Sequence, residues 1–174
     1  TGTAGAVNPQ LLFGDVVIAA KTGYHDLGTS RNRGIIPRGV KNPLTGEKNP
    51  IFFPANTRLM NIVAEVAKNV KLKPMMDGQR KRNPQIVKGV ITSGDIFVSS
   101  LGEKDGLRDD FHADVVDMEG AAIAQVCWQQ GIPYIAIRSI SDAANDGSSE
   151  EFGKYSPASA DQSARFALEV IRLL

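Results

Sequence analysis

Along this chain, short unbroken apolar runs alternate with stretches whose apolar residues recur every three or four positions. Val16-Val17-Ile18-Ala19-Ala20 is continuous and follows the turn Phe13-Gly14-Asp15, so it reads as a strand buried on both faces. Residues 85–92, carrying Ile86, Val87, Val90 and Ile91, read the same way, as do residues 113–118 and residues 134–140 after Pro133. Between them the period lengthens. Asn56-Thr57 is a helix cap, and Leu59, Ile62, Val63 and Val66 fall on one face of the helix that follows. Residues 119–130 form an alanine-rich helix closed by Gly131. A last helix opens near Ser156-Pro157, a cap followed by proline in the first turn, and turns Phe166, Leu168, Val170, Ile171 and Leu174 toward the core.

Two stretches break the pattern. Residues 28–54 are rich in Gly, Pro, Asn and basic residues and read as a long loop with a short hairpin at Leu44-Thr45-Gly46-Glu47. Arg31, Arg33, Arg38 and Lys41 are its solvated charges. Residues 74–84 are a second polar connection. Thr1-Gly2-Thr3-Ala4-Gly5-Ala6 reads as the end of a strand and a tight turn, with residues small enough for close backbone approach to a ligand. Strands alternating with helices, several of them apolar throughout, predict an α/β fold whose central sheet is covered on both faces.

Composition narrows the function more than the fold. At 174 residues the chain is expected to form a single domain. Its 20 basic and 19 acidic residues leave a net charge of +1, which argues against a nucleic-acid partner. The single cysteine, Cys127, forms no internal disulfide and no cysteine metal site, and its apolar surroundings predict a buried, inert thiol. No apolar run approaches the roughly 20 residues of a membrane span. The single cysteine makes a cytoplasmic location the default expectation.

Ligands of such sheets bind at the carboxyl ends of strands. Four of these ends carry reactive or binding residues: the Thr3 turn, Ser93-Gly94-Asp95-Ile96-Phe97, Asp117-Met118-Glu119 and Ser139-Ile140-Ser141-Asp142. Glu119 and Asp142 are the carboxylates in position to face a common pocket, joined by the Thr3 hydroxyl and the Phe97 ring. Each also has a plainer role open to it. Glu119 stands where a carboxylate favours a helix start, Asp142 begins a turn, and Phe97 suits a core. His25 and His112, too few and too far apart for a metal site, read as solvated or hydrogen-bonded. No dinucleotide fingerprint, phosphate loop or nucleophile elbow is present.

The ordered set Thr1-Gly2-Thr3-Ala4-Gly5, Gly14-Asp15-Val16-Val17, Tyr24-His25-Asp26, Ser93-Gly94-Asp95-Ile96-Phe97, Val116-Asp117-Met118-Glu119-Gly120-Ala121-Ala122 and Arg138-Ser139-Ile140-Ser141-Asp142 resembles the purine nucleoside phosphorylase and nucleosidase family. It is most similar to the methylthioadenosine/S-adenosylhomocysteine nucleosidase branch. The Met-Glu-Gly-Ala and Ile-Ser-Asp segments carry most of the specificity, and the resemblance runs over nearly the whole chain. It implies a three-layer α/β/α fold with a mixed central sheet, lacking the family's N-terminal strands. It also implies a homodimer, with no metal and no organic cofactor.

Through the same resemblance the residues acquire roles. Asp142 is the general acid that protonates adenine N7, with Ser141 beside it. Glu119 holds the ribose hydroxyls, and Met118 packs on the sugar. Phe97 stacks on the purine, and the Val98 backbone reads its edge. Thr3, with Ala4 and Gly5, lies near the attacking water or phosphate. Asp117 and Arg138 support the site. The acidic residue that activates water belongs to family strands preceding Thr1 and is unassigned. Residues 31–49 are longer and more basic than in the small nucleosidases. The implied reaction is hydrolysis of adenosine-type nucleosides. Phosphorolysis and a non-catalytic nucleoside-binding role are the alternatives.

Overall fold

The computed structural model describes residues 1–174 except 32, 33 and 78. In chain order they form β1 (Gly2–Ala6), β2 (Val16–Tyr24), the pair β3 (Gly28–Arg31) and β4 (Gly34–Pro37), β5 (Phe52–Pro54) and α1 (Thr57–Asn69). A second pair follows, β6 (Met75–Asp77) and β7 (Arg80–Arg82), then β8 (Ile86–Ser93), α2 (Leu101–Phe111), β9 (Val115–Asp117), α3 (Gly120–Gln130), β10 (Ile137–Asp142) and α4 (Ser148–Ile171).

The main sheet is mixed, as expected, in the order β10-β1-β9-β8-β2-β5. Strand β1 is parallel to β10, and β8 is parallel to both β2 and β9. The pairs β1–β9, β2–β5 and β2–β10 are antiparallel. Because β10 bonds to β2 as well as to β1, five strands close into a ring, a feature that periodicity does not reveal.

Closure explains why β2 is apolar on both faces. Val17 and Ala19 point into a cluster with Ala4, Ala6, Ile91, Val115 and Ile140, while Val16 and Ile18 face the helices through Val63, Val66, Phe166 and Val170. A third cluster joins Val98, Val116 and Ala144 to Leu107 and Phe111 of α2. Helix α4 lies against β10 through small residues. Ser159 Oγ donates to Ile140 O at 2.6 Å, and Ser163 Oγ donates to Ile137 O at 3.4 Å. Among the described residues no helix is long and apolar enough to cross a membrane.

Several local expectations are corrected. Residues 1–6 are a strand in their own right, held by partners on both edges. Helix α2 lies where no helix is expected. Its signal is a capping box, in which Ser100 Oγ accepts from Glu103 N at 3.2 Å. Helix α4 begins eight residues before Ser156, and Pro157 lies inside it. Glu150 and Glu151 mark its true first turn.

The polar stretch 74–84 contains the paired strands β6 and β7, and the long loop contains β3, β4 and β5. The hairpin expected at residues 44–47 is present, bounded by a Lys41–Lys48 bridge and turned by Gly46 at φ 77°. Arg38 and Lys41 are exposed, whereas Arg33 lies outside the described residues and the Arg31 side chain is not described. Cys127 is half-buried on α3 rather than buried, because its helix presents Ile123 and Val126 to the surface.

Candidate active site

The middle of β1, the carboxyl ends of β9 and β10 and the segment after β8 surround a cavity of about 460 Å³. Thr3, Ala4 and Gly5 line it from β1, Phe97 and Val98 from the segment after β8, Met118 and Glu119 from the turn after β9, and Ser141 and Asp142 from β10. Every residue expected to touch substrate therefore reaches one cavity. Asp117 lines it too, whereas Arg138 is buried behind it.

Asp142 is only 3% exposed. Its Oδ2 accepts from Ser141 Oγ at 2.9 Å, and its Oδ1 accepts from Ala144 N at 3.1 Å. Burial pushes its carboxyl above the ordinary carboxylate value. Donors at Ala144, Ser141 and Ser148 oppose that shift, and the nearby Glu151 charge adds to it. The carboxyl is thereby biased toward the protonated form that a general acid needs.

Glu119 contrasts with it. It occupies the N-cap position of α3, yet its side chain makes no capping bond. Asp117 does that work. Its Oδ1 accepts from Gly120 N at 3.1 Å and from Ser93 Oγ, and its Oδ2 accepts from Arg138 Nε at 2.7 Å. Ser93 Oγ in turn accepts from Ala121 N at 2.8 Å. This buried network fixes the turn and leaves the exposed Glu119 carboxylate uncommitted at the cavity wall. The capping reading of Glu119 is thus replaced.

Phe97 is 40% exposed, so it is not an ordinary core residue. Its ring meets Phe152 edge-on, with centroids 5.9 Å apart. Phe152 and Ser149, from the first two turns of α4, and Ile96 also line the cavity. Sequence reasoning misses Phe152 and Ser149 because it starts α4 too late. The run Ser148-Ser149-Glu150-Glu151 is the signal that finds them.

Of the two histidines, His112 is solvated as expected and His25 departs from expectation. His112 is the exposed left-handed C-cap of α2, at φ 53°. His25 is half-buried, and its Nε2 is buried with no hydrogen-bond partner among the described residues.

A ring of mixed strands whose cavity holds two differently housed carboxylates, one buried and one exposed, is the arrangement that the comparisons place in a known family. The chain belongs to the phosphorylase superfamily, whose family model matches residues 1–172. A 5'-methylthioadenosine/S-adenosylhomocysteine nucleosidase of Haemophilus influenzae is 31% identical over 175 residues, covering 98% of this chain and 67% of that protein. An aminodeoxyfutalosine nucleosidase of Campylobacter jejuni is 32% identical over 177 residues, covering 100% and 68%. Among solved structures, the futalosine hydrolase of Helicobacter pylori superposes with a TM-score of 0.80 at 30% identity, covering 100% of this chain and 66% of that one. The Neisseria meningitidis 5'-methylthioadenosine/S-adenosylhomocysteine nucleosidase in complex with methylthio-immucillin-A gives 0.80 at 29% identity, covering 100% and 68%. The chain spans about two thirds of the length of these relatives.

Proposed function

We propose that the protein containing this chain is an N-glycosyl hydrolase that releases adenine from adenosine-type nucleosides, methylthioadenosine and S-adenosylhomocysteine among them. One observation carries the reading. A buried carboxyl held toward its protonated form, Asp142, and an exposed carboxylate free of other bonds, Glu119, line the same cavity. The names of the relatives support hydrolysis of nucleosides. They divide between methylthioadenosine/S-adenosylhomocysteine and aminodeoxyfutalosine as substrates.

In this mechanism Asp142 gives its proton to adenine N7. The C1′–N9 bond breaks, and its electron pair leaves with the base as neutral adenine. Protonation of the leaving group contributes roughly 10²–10⁴-fold in rate. The sugar gains oxocarbenium character, and the Glu119 carboxylate, bonded to the ribose hydroxyls, stabilises that charge more in the transition state than in the ground state. Met118 packs against the sugar. The purine lies on Phe97, and the Val98 backbone meets its edge. Water supplies the oxygen that joins C1′, entering beside Thr3, Ala4 and Gly5, and gives up one proton to the solvent, which balances the one that Asp142 lost and later regains. Ser141 orients Asp142, while Asp117 and Arg138 hold the turn that presents Glu119. The enzyme acts as a homodimer.

The test is adenine release from methylthioadenosine and from aminodeoxyfutalosine by the full-length protein, with and without phosphate, beside Asp142→Asn. Phosphate-independent release from methylthioadenosine that falls at least about 10²-fold in the variant supports the proposal. Release only with phosphate identifies a phosphorylase. Release from aminodeoxyfutalosine alone reassigns the substrate, and no release from either nucleoside removes the reading.

A further inference from the structure

We infer that Asp26 and His25, at the end of β2, position the segment 94–98 and so set how tightly the purine is held. The inference rests on the reading of Phe97 and Val98 as the purine contacts. Neither Asp26 nor His25 lines the cavity, and both act through the neighbouring chain.

Strands β2 and β8 run parallel, and Tyr24 and Ser93 are their last registered pair. Beyond that pair the two chains stay in contact at three consecutive positions. The His25 N–H donates to Ser93 O at 3.0 Å. The Asp26 carboxylate accepts from Asp95 N, its Oδ2 lying 2.7 Å away, a charge-assisted bond to the residue two places before Phe97. Between them, the backbone of Gly94 lies directly on the imidazole. A Cβ at residue 94 would fall on His25 Nε2, 2.5 Å from Cε1 and 2.7 Å from Asp26 Oδ2. On its other side Gly94 N donates to Asp117 O at 3.2 Å.

The glycine is therefore clamped between the end of β9 and the His25 ring, and the next peptide is tied to Asp26. The chain leaves this clamp and enters the cavity wall directly, at Ile96, Phe97 and Val98. Among the described residues Phe97 is exposed and its ring meets only Phe152, so the direction in which the chain leaves Gly94 and Asp95 governs its placement. The Tyr24-His25-Asp26 segment thereby gains a role in base recognition rather than in the chemical step.

A residue that places a base contact acts on bound base equally before and during reaction. Its loss raises KM and leaves kcat in place. The experiment measures adenine binding by calorimetry, KM and kcat for methylthioadenosine, and the unfolding midpoint, for wild type, Asp26→Ala and Asp26→Asn in the full-length protein. Asp26→Ala is expected to weaken adenine binding and raise KM about tenfold or more, with kcat within about twofold, as for loss of one charge-assisted hydrogen bond. Asp26→Asn keeps an oxygen for Asp95 N–H and is expected to recover most of the affinity.

Unchanged adenine binding in Asp26→Ala, or no recovery in Asp26→Asn, overturns the inference. If Asp26→Ala fails to fold, the pair His25→Ala and Gly94→Ala decides. Gly94→Ala weakens adenine binding, and adding His25→Ala restores part of it, whereas simple addition of the two losses overturns the clamp. A wild type that neither binds nor releases adenine overturns the nucleosidase reading as well. An active wild type with indifferent Asp26 variants overturns the positioning role alone.

Discussion

The Asp142 carboxyl lies over the backbone of Gly5, so close that a Cβ at residue 5 would stand 2.7 Å from Oδ1 and 3.2 Å from the Ala144 Cβ. The first and last strands of the main sheet thus meet at the proposed acid, where the β1–β10 register slips and Gly5 pairs with Asp142. Gly5→Ala is expected to displace the carboxyl and lower kcat by roughly tenfold or more, a fraction of what the general acid supplies. Single-turnover adenine release measures it. Because the methyl group meets a side chain that can turn away, the unfolding midpoint is expected to fall far less than for a core cavity.

The raised Asp142 value has consequences for rate and for stability, with the sign fixed by linkage. In the proposed mechanism the acid form is the competent one, so kcat is expected to fall as pH rises through the folded-state value. In Asp142→Asn that alkaline limb disappears from the residual activity. For stability, the folded chain holds a proton that the unfolded chain has already released. Stability therefore declines as pH rises from the ordinary carboxylate value of 3.8 to the folded-state value, and is level above it. Denaturant melts of the two proteins across this range check the sign, and Asp142→Asn is expected to lack the decline.

Asp117 and Arg138 form a buried pair, with side chains 1% and 4% exposed. Removing one partner of such a pair leaves the other charge uncompensated, at a cost of about 3–5 kcal/mol. Asp117→Ala is expected to lose that much in chemical denaturation. It also frees Gly120 N and the Ser93 hydroxyl, so the turn bearing Met118 and Glu119 loosens. Nucleoside KM is expected to rise more than adenine Kd, since the proposed sugar contacts ride on this turn.

His25 titrates in the opposite sense from Asp142. Burial pulls its imidazole below the ordinary value of 6.5, against the opposing fields of Asp26, Glu103 of α2 and Asp117. The unfolded chain takes up a proton that the folded chain refuses, so stability falls as pH drops from about 6.5 toward the folded-state value. Urea midpoints for wild type and His25→Gln test this, with the contribution absent from the variant.

Strand β2 was readable because it is buried on two faces and so keeps an unbroken apolar run from Val16 to Ala19. Strand β1 was not, since Gly2-Thr3-Ala4-Gly5 has neither alternation nor bulk and becomes a strand through β10 and β9 on its edges. Helix α2 buries only Leu107 and Phe111, too few for a periodic signal, although its capping box was present. The start of α4 was hidden by Pro157, which mimics a first-turn proline ten residues into the helix. Glu119, Asp142 and Phe97 were legible as strand-end residues, and the family resemblance gave each an expected role, but the physical basis of that division was not in the sequence. That Glu119 is free because Asp117 makes the cap, and that His25 is packed beneath Gly94, are facts of three-dimensional assembly.

Closure of the five-stranded ring ties the timing of folding to the order of synthesis. Strand β1 finds its parallel partner only in β10, and Ser141 reaches the carbonyl of Ala4 across 137 positions of chain. At ribosomal speed that interval lasts on the order of ten seconds, during which β1 leaves the ribosome without that neighbour. Contacts this distant are slow to form because the chain entropy of a long loop is lost before any contact repays it. The wall that carries Thr3 and Gly5 and the wall that carries Asp142 are joined in the same late event. On the proposed reading, a nascent chain cannot assemble the nucleoside cavity until nearly the whole of this segment has been made.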